Sequence, residues 1–263
     1  TFHLLLQYNK SMFGIVLGGS NNIFSVECED SIIRQCTIKG KKLEASKGYY
    51  NPLAPGDEVE IEVDEQTDTE GQIIDLVPRK NEFVRWNVKG RSPQLLAANL
   101  DNIIIVTTPD EPPFRPRFVD RALAQAEYEN IEPIIVCNKC DLPAATDEDF
   151  EARLSDWEGM GYRVIKVSAK SGEGLQELSE VLEDKLCAFV GQSGVGKSSL
   201  INVLDSSCVL KTGSLSQKYG RGTHTTTKGT LLHLTLNESL TGGRQGAVAS
   251  IIDTPGVRRF VLH

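Results

Sequence analysis

No apolar run in the 263 residues approaches the roughly 18 needed to span a membrane as a helix, and Leu4-Leu5-Leu6 is too short for a secretory core. Nothing therefore directs insertion or export. The six cysteines, at 28, 36, 137, 140, 187 and 208, lack the spacing of a disulfide framework and read as reduced thiols. The chain is accordingly expected in the cytoplasm, as a monomer, with no membrane partner. There is no surplus of positive charge either: 28 Lys and Arg stand against 36 Asp and Glu, a net charge of −8. That balance excludes bulk-charge binding to DNA and restricts any RNA contact to a local basic face. Internal repeats and low-complexity tracts are also missing.

What remains is an ordinary globular composition, 40% apolar and 24% charged, in a chain long enough for two domains. The residues ahead of Met12 are assigned no function. From Phe13 to about Trp86 the pattern is of short strands: Phe13–Leu17, Ile23–Cys28, Ile32–Lys39, Val59–Val63 and Gln72–Val77. Turn signals such as Gly18-Gly19-Ser20-Asn21-Asn22 and Pro55-Gly56-Asp57 divide them, and Val59 to Asp64 alternates strictly between apolar and acidic residues. Five strands without a helical period predict a small antiparallel barrel of oligonucleotide-binding (OB) type over residues 12–90. Residues 1–90 carry 10 basic against 14 acidic side chains, so composition alone gives this barrel no RNA role. Arg79, Lys80, Arg85, Lys89 and Arg91 cluster near its end and read as a solvated face, with Arg85 to Gln94 as the linker.

After Asn99 strands and helices alternate. Asn102–Thr107, Ile134–Cys137, Val164–Val167, Cys187–Val190 and Ala249–Ile252 are apolar and strand-like. Amphipathic runs over Arg117–Glu129 and Leu175–Leu186 separate them, predicting an α/β domain over 91–263 with a mostly parallel sheet and helices on both faces.

The segment Gly191-Gln192-Ser193-Gly194-Val195-Gly196-Lys197-Ser198-Ser199 follows one strand and opens a helix. This is the context of a phosphate-binding loop: glycines turn backbone N–H groups inward, Lys197 brings charge to the β/γ-phosphates, and the Ser198 hydroxyl suits Mg²⁺. A chance match to its fixed identities arises in about one chain in a hundred of this length. Asn138-Lys139-Cys140-Asp141 follows another strand, and the Asp141 carboxylate can accept from guanine N1–H and its exocyclic amine together. Asn138 can brace neighbouring loops or reach the base edge, and the stem of Lys139 can lie against the base. Cys137-x-x-Cys140 has no second pair to complete a zinc site.

Ser168-Ala169-Lys170 could meet the guanine from the other side. Asp253-Thr254-Pro255-Gly256 places Asp253 for Mg²⁺ and the Gly256 N–H for a γ-phosphate, and the threonines of Arg221 to Thr227 could complete a magnesium shell. The set is that of a GTP-binding domain, in the order base, base, phosphate, switch one, switch two. Motifs read from adjacent strand ends tolerate such a cyclic permutation.

At this point the sequence resembles the RsgA (YjeQ) family of circularly permuted GTPases. The resemblance rests on the barrel, Gln94-Leu95-Leu96-Ala97-Ala98-Asn99-Leu100-Asp101, Asn138 to Asp141, Gly191 to Leu200, His224-Thr225-Thr226-Thr227 and Asp253 to Val257. It implies GTP hydrolysis with GTP/GDP and Mg²⁺ as ligands and the small ribosomal subunit and its rRNA as partners, the barrel being one contact surface. Catalytic roles fall on Lys197, His224 and Thr226, and Mg²⁺ ligation on Ser198, Thr226 and Asp253. The family continues into a C-terminal zinc-binding domain, whose motif matches none of these cysteines, so zinc is expected only with that domain. Val257 stands where many GTPases place a water-orienting Gln, so turnover alone is expected to be slow, with His224 as the internal candidate. Three other readings are a nucleotide-gated RNA- or ribosome-binding assembly module whose hydrolysis only times release, a permuted GTPase of another ribosome-assembly pathway, and a P-loop ATPase or small-molecule kinase.

Overall fold

The computed structural model describes residues 11–20, 22–40, 43, 48–64, 66–87, 90–208 and 229–254. Its first unit is a closed barrel of β1 (Ser11–Ser20), β2 (Ile23–Cys28), β3 (Ile33–Ile38), β4 (Glu58–Val63) and β5 (Glu70–Leu76), ordered β1-β2-β3-β5-β4. Period-two alternation turns Val16, Phe24, Val26, Cys36, Val59, Ile61 and Ile73 inward, where all are buried. A bulge between Val16 and Gly18 bends β1, and at Gly14 the strands approach so closely that a Cβ would stand 2.6 Å from Val26 Cγ1.

The barrel is OB-like, but the expectation of a wholly antiparallel one needs correction. β3 pairs with β5 in parallel, Gln35 opposite Glu70. The long connection after β3 returns the chain so that β4 lies between β5 and β1, closing the barrel through the Ser11–Glu62 and Ile15–Glu58 pairs.

The expected linker at 85–94 instead falls within an antiparallel ribbon, β6 (Glu82–Asn87) with β7 (Ser92–Ala98). The physical reason is burial: Phe83, Leu96 and Ala97 enter the core of the second unit. Asn51 of the barrel fixes the ribbon from the other side, its Nδ2 donating to the Leu95 carbonyl (3.0 Å) and its Oδ1 accepting from the Leu95 N–H (3.0 Å). Arg79 is likewise no solvated cation. At 5% exposure it donates to Asp57 (Nε–Oδ1, 2.6 Å) and to Glu82 (3.0 Å), bolting barrel to ribbon.

Among the described residues the second unit is a six-stranded sheet with four α-helices. In chain order these are β8 (Asn102–Thr107), α1 (Pro116–Tyr128), β9 (Glu132–Cys137), α2 (Glu148–Gly159), β10 (Arg163–Lys166), α3 (Leu175–Leu182), β11 (Leu186–Gly191), α4 (Lys197–Leu204), β12 (Thr230–Thr235) and β13 (Val248–Asp253). The sheet order is β10-β9-β8-β11-β13-β12, parallel throughout except for β12, which runs antiparallel to β13.

Helices cover both faces, as buried parallel strands require. Val119, Ala122, Phe150, Leu154 and Trp157 of α1 and α2 fill one side, and Leu178, Leu182, Leu200 and Leu204 of α3 and α4 fill the other. The sequence reading missed α2, which Asp147 caps by accepting from the N–H groups of Asp149 and Phe150. The barrel meets this unit at β12. There Glu27 Oε2 lies 2.6 Å from His233 Nε2, whose Nδ1 is 2.9 Å from Ser250 Oγ. Among the described residues no helix is long and apolar enough to cross a membrane.

Candidate nucleotide-binding site

The parallel strands bring their carboxyl ends to one edge of the sheet, and the motifs sit there. β11, between β8 and β13, runs into the loop 191–196 and then α4. Two of the loop's glycines adopt left-handed backbone, Gly194 at φ +88° and Gly196 at φ +93°, which turns successive N–H groups to one side. Gly191 is needed for close approach, since a Cβ there would stand 2.6 Å from the Val106 carbonyl. Val195 is buried beneath the loop, Ser193 and Gly194 are exposed above it, and Gln192, Ser198 and Ser199 are half-buried.

Lys197 is buried, and its ammonium donates to the carbonyls of Gly191 (2.8 Å) and Gln192 (3.1 Å). Burial lowers its pKa, opposed by the negative charge of Asp253. The loop is thus closed on its own lysine, which has two carbonyls to exchange for phosphate oxygens.

Asn138, at the end of β9, is the residue that joins the loops. Its Nδ2 donates to the Val195 carbonyl in the phosphate loop (2.8 Å), and its Oδ1 accepts from the Ala169 N–H (3.1 Å). Only 1% of it is exposed. Of the two roles open to it from sequence, the geometry selects bracing. Asp141 accepts from Ser168 Oγ (2.7 Å), while Lys170 Nζ lies 3.7 Å from its other oxygen. The Ser168 hydrogen bond leads in holding the Asp141 carboxyl below its ordinary pKa, so it presents an acceptor-only group beside the 168–170 loop.

Lys139 takes left-handed backbone at φ +65° and sends its ammonium to the Glu111 carbonyl. Cys140 donates its thiol hydrogen to the Cys137 carbonyl (3.1 Å), and burial raises the pKa of both thiols. The Cys140 sulfur is therefore tied to the strand end, and the Cys137 side chain is buried in the core.

At the end of β13, Asp253 is paired in register with Phe189 of β11 and Thr230 of β12. Its Oδ1 is buried and has no hydrogen-bond partner among the described residues, and burial pushes its pKa up to about 6 against the opposing pull of Lys197. An orphaned buried carboxylate oxygen beside the phosphate loop fits a group that brings positive charge, as Mg²⁺ does. Among the described residues no cluster of three His, Cys, Asp or Glu side chains forms a metal cage. A cation here would share its ligands with hydroxyls, water and phosphate. His224, Thr226 and Gly256 lie outside the described residues.

One part of the site escaped the sequence reading. The loop after β8 supplies the Glu111 carbonyl to Lys139 and sets Pro112 against the phosphate loop, 3.5 Å from where a Gly194 Cβ would be. Its position after a strand adjoining β11 was the available signal.

A phosphate loop, an acidic base-recognition loop and a carboxylate at a third strand end define a P-loop nucleotide-binding protein of the GTPase class, its motifs in circularly permuted order. The chain belongs to the RsgA GTPase family, whose model matches residues 76–263. It is 38% identical over 249 residues to the small ribosomal subunit biogenesis GTPase RsgA of Borreliella burgdorferi, covering 94% of this chain and 76% of that protein. The protein of the same name from Chlorobaculum parvum is 36% identical over 263 residues, covering 97% and 79%.

Among solved structures, YjeQ from Thermotoga maritima aligns with a TM-score of 0.63 at 29% identity, over 94% of this chain and 75% of that one. YloQ, a circularly permuted GTPase, shares the fold with a TM-score of 0.60 at 23% identity, over 97% and 75%.

Proposed function

We propose that this chain hydrolyses GTP to GDP and phosphate during late maturation of the small ribosomal subunit, in the cytoplasm and as a monomer, with that subunit and its rRNA as partners. The observation that carries the reading is Asn138, whose two hydrogen bonds join its own loop to the loops at 191–196 and 168–170. The names of the relatives support the ribosomal role.

In this reading Lys197 and the N–H groups of residues 191–199 hold the phosphates, Asp141 reads the base, and Lys139 and the 168–170 loop flank it. Ser198, Thr226 and Asp253 would hold Mg²⁺, which when bound neutralises charge on the phosphoryl oxygens. His224 orients the attacking water and Gly256 donates its N–H toward the γ-phosphate. Val257 supplies no water-orienting amide, so hydrolysis by the chain alone is slow.

The test is GTP turnover with and without purified small subunits, repeated for His224→Ala. Large stimulation, lost in the variant while GTP affinity holds, supports the reading. Tight guanine-nucleotide binding without stimulation moves the protein to another assembly pathway. Asp141→Asn should weaken GTP and improve xanthosine triphosphate, and an ATPase would show neither effect.

One observation favours a second reading, in which nucleotide gates binding and hydrolysis only times release. β12 directly follows the segment holding switch one, and its His233 meets Glu27 of the barrel. Equal affinity of the GTP-analogue and GDP forms for the subunit would sink it, because a ligand without differential affinity shifts no equilibrium.

A further inference from the structure

We infer that Thr254 is a positioning residue of the nucleotide site: its hydroxyl locks the end of β13 to the strand that runs into the phosphate loop, and so sets where the Asp253 carboxylate stands. The inference rests on the proposed role of Asp253 in holding Mg²⁺ and names what fixes that side chain in place.

β13 ends at Asp253, and Thr254 follows it. Thr254 is 1% exposed, and its Oγ1 donates to the Phe189 carbonyl at 2.8 Å. The strand register makes that carbonyl a ladder acceptor. β11 and β13 run parallel, paired from Leu186–Ser250 to Phe189–Asp253, and the Ser250 N–H donates to the Lys185 carbonyl. Advancing by two residues at a time along both strands brings the Phe189 carbonyl to residue 254. There the threonine side chain supplies a donor. Residue 255 is proline, which has no N–H to carry the ladder further.

The bond reaches from the strand of the phosphate loop, two residues ahead of Gly191, to the residue next to Asp253. On its other side Asp253 pairs with Thr230 of β12, and Gly229 comes so near that a Cβ there would stand 3.1 Å from the Asp253 carbonyl. The backbone of Asp253 is thus gripped from both neighbouring strands, and where the chain leaves the sheet the grip on the β11 side passes to the Thr254 hydroxyl.

Asp253 depends on that grip. Its Oδ1 is buried and has no hydrogen-bond partner among the described residues, so no bond of that atom's own orients it there and the backbone sets its place. Asp253 and Lys197 also act on each other through their charges. A shift of the carboxylate against the phosphate loop therefore changes what a cation and the phosphate oxygens meet together. A bond that served only the fold would affect nucleotide binding alike with and without Mg²⁺. A bond that positions Asp253 affects the part of the affinity that the cation adds.

The experiment titrates a fluorescent, non-hydrolysable GTP analogue into the full chain, in excess Mg²⁺ and in EDTA, for the parent, Thr254→Val and Thr254→Ser, with a thermal melt to verify that each is folded. Valine keeps the branched shape that suits a strand residue before proline and removes the donor. Thr254→Val should lose about ten-fold in affinity with Mg²⁺, the worth of one buried hydrogen bond, and stay within about two-fold of the parent in EDTA. Thr254→Ser keeps the hydroxyl and should recover the Mg²⁺-dependent affinity to within about three-fold of the parent. If the valine variant does not fold, Thr254→Ala takes its place with the same expectation. Equal losses in Mg²⁺ and in EDTA overturn the inference, as does full Mg²⁺-dependent affinity in Thr254→Val. A serine variant no better than valine overturns it too, because the hydroxyl is then not the cause. In all three cases the guanine-nucleotide site stands. A parent that binds the analogue equally with and without Mg²⁺ overturns the inference together with the assignment of Asp253 to the cation, and a parent that binds no guanine nucleotide overturns the proposed function itself.

Discussion

Truncating Asn138 to alanine isolates the joint on which the nucleotide site depends. The side chain makes two hydrogen bonds, to the Val195 carbonyl at 2.8 Å and from the Ala169 N–H at 3.1 Å, in a place where it is 1% exposed. Each partner left unmatched costs about 1–1.5 kcal/mol, so the pair is worth roughly 2–3 kcal/mol. At 1.4 kcal/mol per ten-fold, that is about a 30- to 150-fold effect. It divides between two readouts. If the loops stay assembled without nucleotide, the loss appears as a lower melting temperature. If they separate, it appears as weaker nucleotide binding, because ligand must then reassemble them. Titration with a fluorescent GDP analogue and a thermal melt, made side by side, capture both parts. Asn138→Asp adds a control of equal size: it loses the donor and sets a carboxylate against the Val195 carbonyl, so it should do at least as much harm as alanine. A variant with GDP affinity within about two-fold of the parent and a melting temperature within about 1 °C would refute the joint.

Gly196→Ala should reduce GDP affinity by more than about ten-fold, because its φ of +93° suits no side chain and a Cβ would stand 2.2 Å from Asn138 Nδ2. Normal binding in the same titration would contradict that geometry. Arg79→Ala leaves the Asp57 carboxylate buried without its partner, and denaturant unfolding should show a loss of about 3–5 kcal/mol; a change below about 1 kcal/mol would show that the pair contributes little. Glu129 is pushed up to about 7 by burial and by the nearby charge of Glu82. The folded state then holds a proton that the unfolded state has released, so this group's contribution to stability is present below its ordinary value of 4.5 and declines as pH rises to about 7. Glu129→Gln should therefore raise the melting temperature at about pH 8 and leave it near the parent's at about pH 4, and a parallel shift at both would refute the assignment.

How much of this was legible beforehand differs by element, for physical reasons. Strict alternation at Val59 to Asp64 and the buried run of β8 announce strands because one or both faces must be dry. The loop 191–198 announces itself because backbone N–H groups can converge on phosphate only where glycine permits it. The ribbon of β6 and β7 was hidden: its apolar residues Phe83, Leu96 and Ala97 follow no clean period, and the arginines nearby suggested open solvent. Nothing local to Arg79 reveals that Asp57, 22 positions earlier, will bury it. Partner choice in the barrel is equally non-local, so the parallel pairing of β3 with β5 could not be read from either strand. α2 was overlooked although Phe150, Leu154 and Trp157 carry a helical spacing, because acidic residues dominate its exposed side.

The permuted order of the motifs follows from what the site needs. Each motif among the described residues stands at the carboxyl end of a strand, and adjacency in the sheet, not in the chain, sets their distances: β9 beside β8, β8 beside β11, β11 beside β13. Asn138 and Val195 are 57 positions apart and still share a hydrogen bond. The three residues 183–185 suffice to lead α3 into β11, held by Lys185 N–H on the Leu182 carbonyl and Asp184 N–H on the Val248 carbonyl. The turn thus fixes the start of β11, the strand whose far end runs into the phosphate loop. The switch-bearing segments are joined instead to β12 and β13, at the other side of the sheet. β12 is the strand that the barrel touches, through Glu27 on His233 and through Gly18 close to the Gly229 carbonyl. The permuted chain thus sets its base and phosphate loops on firmly packed supports and leaves its switches on the strands nearest the appended barrel.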